Sequence, residues 1–132
     1  MTGGTGFVGT WLVEAFVAAN DAYDLGATAV LLSRDPARFA ARAPHLAGHR
    51  AVRVIAGDAV DFTPPDGRFA FVVHAATEPQ NADAAATPLR SLDRDTGATR
   101  RVLDFARGAA TRRMLFTSSG AVYGSQPAEL SH

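Results

Sequence analysis

Three glycines at a fixed spacing constrain this chain more than any other feature. Thr2-Gly3-Gly4-Thr5-Gly6-Phe7-Val8-Gly9 sets Gly3, Gly6 and Gly9 in a G-x-x-G-x-x-G pattern, and an amphipathic helical pattern begins directly behind it. Glycine lets backbone pass where a Cβ would collide, and the first turn of a helix offers N–H groups that have no partner inside the helix. Both properties suit a bound anion, above all a pyrophosphate. The competing reading is a flexible turn with no ligand, and the glycines alone do not separate the two. The rest of the chain favours the anion.

Short apolar or β-branched runs alternate with longer helical ones, which is the pattern of an α/β fold with a parallel sheet. From Gly6 to about Asn20, Val8, Trp11, Leu12, Ala15, Phe16 and Ala19 recur at helical spacing. Ala27 to Leu32 is a continuous apolar run, as expected of a strand covered on both faces. Asp35-Pro36 reads as a cap and first helical residue, opening a short helix to about Arg42 that Pro44 closes. Strands are expected at Ala51–Ala56, Phe69–His74 and Arg113–Thr117, with a loop over Thr77–Ala86. Thr87-Pro88 opens a long helix whose stripe is Leu89, Leu92, Thr96, Thr99, Val102, Leu103 and Ala106, with Gly108 as the residue just past its end. No repeat, low-complexity tract or interdomain linker interrupts these 132 residues, so they are read as one domain.

Composition removes several function classes. Thirteen basic residues balance thirteen acidic ones, so no net field draws nucleic acid or an anionic membrane. Cysteine is absent, which excludes a disulfide scaffold and a thiolate metal site. No apolar run nears the ~20 residues needed to cross a bilayer, and the N-terminus lacks the pattern of a signal peptide. The expected location is the cytoplasm.

Further signals fall at strand ends. Ser33-Arg34 follows the Ala27–Leu32 strand, where a dinucleotide fold meets the adenosine ribose. An acid there would accept from the 2′-hydroxyl, whereas a guanidinium pairs with a 2′-phosphate. Position 33 carries no acid and Arg34 follows, so the balance favours NADP over NAD; the alternative is an ordinary solvated arginine. Asp35 is better explained as a helix cap. Gly57-Asp58-Ala59 sets a carboxylate at the same sheet edge, either to accept from the adenine amino group or simply to form the turn. His74-Ala75-Ala76-Thr77 ends a strand in small residues with room for a flat ring, and His74 itself is read as a satisfied core residue without a catalytic or metal role. Thr117-Ser118-Ser119 puts hydroxyls at another strand end, either for substrate or for loop backbone, and no nucleophile elbow supports a hydrolase.

Taken in order, the glycine loop, Gly57-Asp58, His74-Ala75-Ala76, Pro88-Leu89 through Ala98-Thr99, and Thr117-Ser118-Ser119 with Val122-Tyr123-Gly124 resemble the extended short-chain dehydrogenase/reductase family, in its NAD-dependent epimerase/dehydratase group. The resemblance implies a Rossmann-type doubly wound parallel sheet and an NAD(P)-dependent nucleotide-sugar epimerase, dehydratase or reductase that passes hydride to and from the nicotinamide. It implies that Gly3, Thr5, Gly6, Phe7 and Val8 lie along the pyrophosphate, Ser33 and Arg34 at the ribose, and Asp58 with Ala59 at the adenine. Ala75, Ala76 and Thr77 would pass the nicotinamide half, joined by Asp95, where the family usually has asparagine, and by Thr117 and Ser118. Ser119 matches the family's catalytic serine or threonine. The long helix from Pro88 looks like the one that pairs subunits of a homodimer, with Leu92, Leu103 and Phe105 in excess of one sheet-facing stripe.

The family's Tyr-x-x-x-Lys pair is missing, since the chain contains no lysine at all, and Tyr123 does not replace it. The natural polypeptide is therefore expected to run past both ends, with an apolar strand before Met1 and a tyrosine helix and substrate domain after His132. Two other readings stay open: a non-catalytic dinucleotide-sensing or scaffold protein of this fold, and a reductase of a small non-sugar carbonyl.

Overall fold

The computed structural model describes residues 1–77 and 87–124. Among these, strands β1 (Ala29–Ser33), β2 (Val52–Ala56), β3 (Phe71–His74) and β4 (Arg113–Phe116) alternate with helices α1 (Phe7–Ala22), α2 (Pro36–Arg42), α3 (Pro44–Ala47) and α4 (Pro88–Gly108). A single 3-10 turn follows at Gly120–Tyr123.

β1 pairs in parallel with β2, and β3 in parallel with β4. Thr2 bridges Leu32 on one side and His74 on the other, so the first two residues lie between the pairs. Strand order is then β2, β1, Met1-Thr2, β3, β4. Backbone bonds stitch this seam: Leu32 N–H to the Met1 carbonyl at 2.9 Å, Thr2 N–H to Val73 at 2.9 Å and Ala75 N–H to Thr2 at 3.2 Å. The Met1 nitrogen also donates to the Val30 carbonyl, at 2.7 Å.

Side chains alternate along β1, which separates the two cores. Leu31 points to the face covered by α1, α2 and α3, where it packs with Val13, Phe39, Ala43, Leu46 and Val52. Leu32 points to the face covered by α4, packing with Phe62, Val72, Ala98, Val102 and Ala106. Helices on both faces of parallel strands make this a Rossmann-type α/β sheet, as the alternating pattern predicts. No helix among the described residues is long and apolar enough to cross a membrane.

Several local expectations are corrected. The buried face of α1 is Gly9, Val13 and Asn20, while Val8, Trp11 and Leu12 lie exposed. This helix is apolar nearly all round, so periodicity does not choose its inner face; the close approach that Gly9 permits does. On α4 the buried residues are Ala98, Val102 and Ala106, and Leu89, Leu92 and Leu103 face outward. Phe105 belongs to the core after all, edge-on to Phe62 and Phe69 at 5.8 and 5.2 Å. Pro44 does not merely close α2 but opens α3, as its fixed φ suits a first helical position. Gly108 is the last residue of α4 rather than the one past it; the left-handed residue is Ala110, φ 54°, with Thr111 N–H bonded to the Ala106 carbonyl at 3.0 Å. The strands at 52–56, 71–74 and 113–116 are each one or two residues shorter than expected, and β1 is shifted to end at Ser33. Of the loop expected at Thr77–Ala86, all but Thr77 falls outside the described residues.

Candidate functional site

All strands present their C-terminal ends to one edge of the sheet, and a cleft of about 820 Å³ opens there. That volume suits a cofactor-sized ligand. Its floor is the glycine loop. Gly3 has φ 71°, and a Cβ on it would stand 2.3 Å from the Ala75 carbonyl oxygen. A Cβ on Gly9 would stand 2.0 Å from the Gly3 carbonyl oxygen. Gly6 differs: its nearest obstacle is the Gly3 oxygen at 3.3 Å, and it occupies the N-cap of α1 with no side chain capping the helix. Gly3 and Gly9 thus allow the tight fold of the loop, and Gly6 keeps its outer surface bare beside the free N–H groups of α1. This is the cradle an anionic diphosphate requires.

The structure brings Gly3, Thr5, Gly6, Phe7, Val8, Ser33, Arg34, Asp58, Ala59, Ala75, Ala76, Thr77, Asp95, Thr117 and Ser118 to the lining of this one cleft. Ser119 is not in the lining; it precedes the 3-10 turn, its carbonyl accepting the Val122 N–H at 3.3 Å.

At the β1 end, Ser33 is buried and its hydroxyl accepts the Asp35 N–H at 3.2 Å, with the Thr5 hydroxyl 3.5 Å away. Asp35 caps α2 as expected, accepting the Arg38 N–H at 2.9 Å. Local sequence reading missed Arg38 and Arg42, which line the same end. Their spacing of four on α2 was the available signal, since it sets both on one helix face. The Arg42 guanidinium donates to the Thr5 carbonyl and, at 3.2 Å, to the Thr10 hydroxyl, tying α2 to the glycine loop.

At the β2 end, Asp58 both forms its turn and faces the cleft. One carboxylate oxygen accepts the Val60 N–H at 3.1 Å, and the other accepts from Arg94 of α4 at 2.8 Å. Burial pushes the Asp58 pKa up, but the Val60 N–H and the Arg94 and Arg34 charges outweigh it and hold the carboxyl below its usual value. Arg94 was also missed; 36 residues separate it from Asp58, so no local pattern announces the pair.

At the β3 end, His74 is 1% exposed, both ring nitrogens lie within hydrogen-bond distance of hydroxyls, and its pKa is lowered by burial against the partial opposition of Asp95. It is a satisfied core residue. No group of side chains suited to a metal occurs among the described residues.

The sequence model of the NAD dependent epimerase/dehydratase family matches residues 1–131. The chain is 33% identical over 128 residues to a UDP-glucose 4-epimerase of Streptomyces lividans, covering 94% of this chain and 36% of that protein. A crystal structure of a UDP-galactose 4-epimerase matches with TM-score 0.69 and 26% identity, over 93% of this chain and 38% of the other. The X-ray structure of Pen from Bacillus thuringiensis shares the fold, with TM-score 0.72 and 19% identity over 93% of this chain and 38% of that one. The chain thus spans little more than a third of the length of these relatives.

Proposed function

The chain belongs to the NAD-dependent epimerase/dehydratase family, and from that premise we propose that its cleft holds a nicotinamide dinucleotide, NADP in preference to NAD, for chemistry on a nucleotide sugar. The observation that carries this reading is the glycine cradle: backbone folded too tightly for a Cβ at Gly3 and Gly9, with Gly6 bare toward the cleft. In this reading Gly3, Thr5, Gly6, Phe7 and Val8 line the pyrophosphate, with the first N–H groups of α1 as donors; the Gly6 N–H itself is given to the Gly3 carbonyl at 3.0 Å, and Gly6 contributes by its lack of a side chain. Asp58 and Ala59 meet the adenine, Ala75, Ala76, Thr77 and Asp95 border the nicotinamide half, and Thr117 and Ser118 close the wall beside it.

The NADP preference rests on charge. Ser33 supplies no acid at the ribose position, Asp35 is spent on capping α2, and Arg34 and Arg38 both line this end. Guanidinium groups there favour a 2′-phosphate. When bound, the nicotinamide supplies a hydride acceptor and donor. Ser119, next in the chain to Ser118 of the cleft wall, would hydrogen-bond the substrate oxygen; the acid/base tyrosine and its lysine are to be supplied from outside these residues. The likeness to a UDP-glucose 4-epimerase supports a nucleoside-diphosphate sugar as substrate. We also propose that the whole protein pairs through α4, whose Leu89, Leu92 and Leu103 are exposed. Sedimentation as a monomer at micromolar concentration would count against that.

The test of function is calorimetric titration of the full-length protein with NADP and NAD, followed by an assay for UDP-sugar epimerisation. NADP is expected to bind at least about tenfold more tightly than NAD, with Arg34→Ala removing most of the difference. Equal affinities that ignore Arg34→Ala sink the preference, and absence of binding by either cofactor sinks the function.

A further inference from the structure

The hydrogen bonds around His74 fit one arrangement of protons best, since the reverse one leaves the Thr2 hydroxyl proton without an acceptor. A neutral imidazole has one donor and one acceptor nitrogen, and which is which depends on the neighbours. Thr99 Oγ1 lies 3.2 Å from Nε2, and its own proton is donated to the Asp95 carbonyl at 2.8 Å. The Thr99 oxygen therefore faces the ring as acceptor, and Nε2 carries the proton. On the other side, Thr2 Oγ1 lies 2.6 Å from Nδ1 and accepts the Ala76 N–H at 3.3 Å. The Thr2 proton is thus directed to Nδ1. Each member satisfies the next: Ala76 N–H to Thr2, Thr2 O–H to Nδ1, Nε2–H to Thr99, Thr99 O–H to the Asp95 carbonyl. Among the described residues no buried side-chain polar atom lacks a partner, and both His74 ring nitrogens have theirs in this row.

The row crosses the molecule in a telling direction. Thr2 is the root of the glycine loop, Ala76 follows the end of β3, and Asp95 stands on α4; all three line the cleft. We propose that His74, as the neutral Nε2–H tautomer, is a positioning residue that fixes the glycine loop and the β3 end against the cleft-facing turn of α4. The binding part rests on the reading of the cleft as a dinucleotide site; the tautomer does not. His74 contacts no ligand in this role. It sets the spacing of the walls that do, and a ring carrying a second proton would turn the Thr2 hydroxyl away from its acceptor. The Phe116 ring, 5.6 Å from the imidazole between centroids, borders it on the β4 side.

The experiment labels the histidines of the full-length protein with 15N and records long-range proton–nitrogen spectra at pH 7, with calorimetric NADP titration alongside. His74 is expected to show a protonated Nε2 and a bare Nδ1. Thr99→Val, which keeps the side-chain shape and removes the acceptor, is expected to perturb those signals and weaken NADP about five- to tenfold, while Thr99→Ser retains both. A wild-type ring protonated at Nδ1 overturns the proposal, as does Thr99→Val with unchanged affinity. If the wild type binds neither dinucleotide, the functional reading falls separately. The lock is then judged on the amide shifts of Thr2 to Gly6, which move in Thr99→Val if it reaches the loop and overturn it if they stay.

Discussion

Arg94 and Asp58 meet at the cleft, Nη2 to Oδ2 at 2.8 Å, joining the second turn of α4 to the turn after β2. The pair is partly exposed, with 36% of the arginine and 29% of the aspartate side chain accessible, so water screens it and its contribution to stability is small. Its importance lies in orientation. With one oxygen on the Val60 N–H and the other on Arg94, the carboxylate is held ionised and fixed in place, with lone pairs left over for a donor in the cleft.

Removing Arg94 is therefore expected to loosen adenine recognition without unfolding the protein. Arg94→Met should weaken NADP about three- to tenfold while shifting the melting temperature little. The hypoxanthine analogue of the cofactor, which has no amino group to donate, should bind the wild type more weakly and Asp58→Asn nearly as well as NADP. Calorimetry with both cofactors checks this, and an unchanged ratio in Asp58→Asn would show that the carboxylate does not read the base.

Gly9 and Gly6 should fail in different ways. A methyl at Gly9 would be driven into the Gly3 oxygen at 2.0 Å and the Gly4 Cα at 2.7 Å, both backbone atoms that cannot swing aside. Gly9→Ala is expected to cost about 2–3 kcal/mol or more of stability. At Gly6, φ is −79° and a methyl would stand 3.3 Å from the Gly3 oxygen, so alanine asks for a shift of only a few tenths of an ångström while adding bulk to the proposed anion site. Gly6→Ala should keep its melting temperature within about 2 °C and still lose cofactor affinity at least about tenfold. Thermal melts of the two variants, with and without NADP, distinguish these outcomes.

Stability should fall in mild acid. Burial lowers the His74 pKa below 6.5 in the folded protein, with Asp95 of α4 the charge that opposes this, so below pH 6.5 the unfolded chain takes up a proton that the folded one does not. Stability is complete above that value and declines as pH drops toward the folded pKa. Urea unfolding at pH 7.5 and 5.5 measures the effect; equal stability at both would show that His74 takes up its proton as readily folded as unfolded.

Ala110 holds the left-handed position after α4 that glycine favours, φ 54°, and is exposed. Ala110→Gly is expected to stabilise the protein by about 0.5–1 kcal/mol, read as a higher denaturation midpoint at unchanged slope. Destabilisation would show that the helix end does not adopt this conformation in solution.

These positions also show what the amino-acid order reveals and what it hides. The glycine loop is legible because its backbone path excludes every other residue type at Gly3 and Gly9. The α2 start is legible because Asp35 and Pro36 act within one helical turn. The faces of α1 and α4 are not, because Trp11, Leu12, Leu92 and Leu103 are apolar yet exposed, while the buried positions include the small Gly9, Ala98 and Ala106. Small residues bury little apolar area but allow close approach, and a periodicity count weights them wrongly. Arg94 is hidden for a different reason: its partner lies 36 residues away, and only the tertiary fold brings the two together.

Thr2 is bridged to Leu32 on one side and to His74 on the other, and the glycine loop begins at the next residue. The starting point of the loop is therefore set by both halves of the sheet at once, so a substitution that shifts either β1 or β3 is carried into the floor of the cleft.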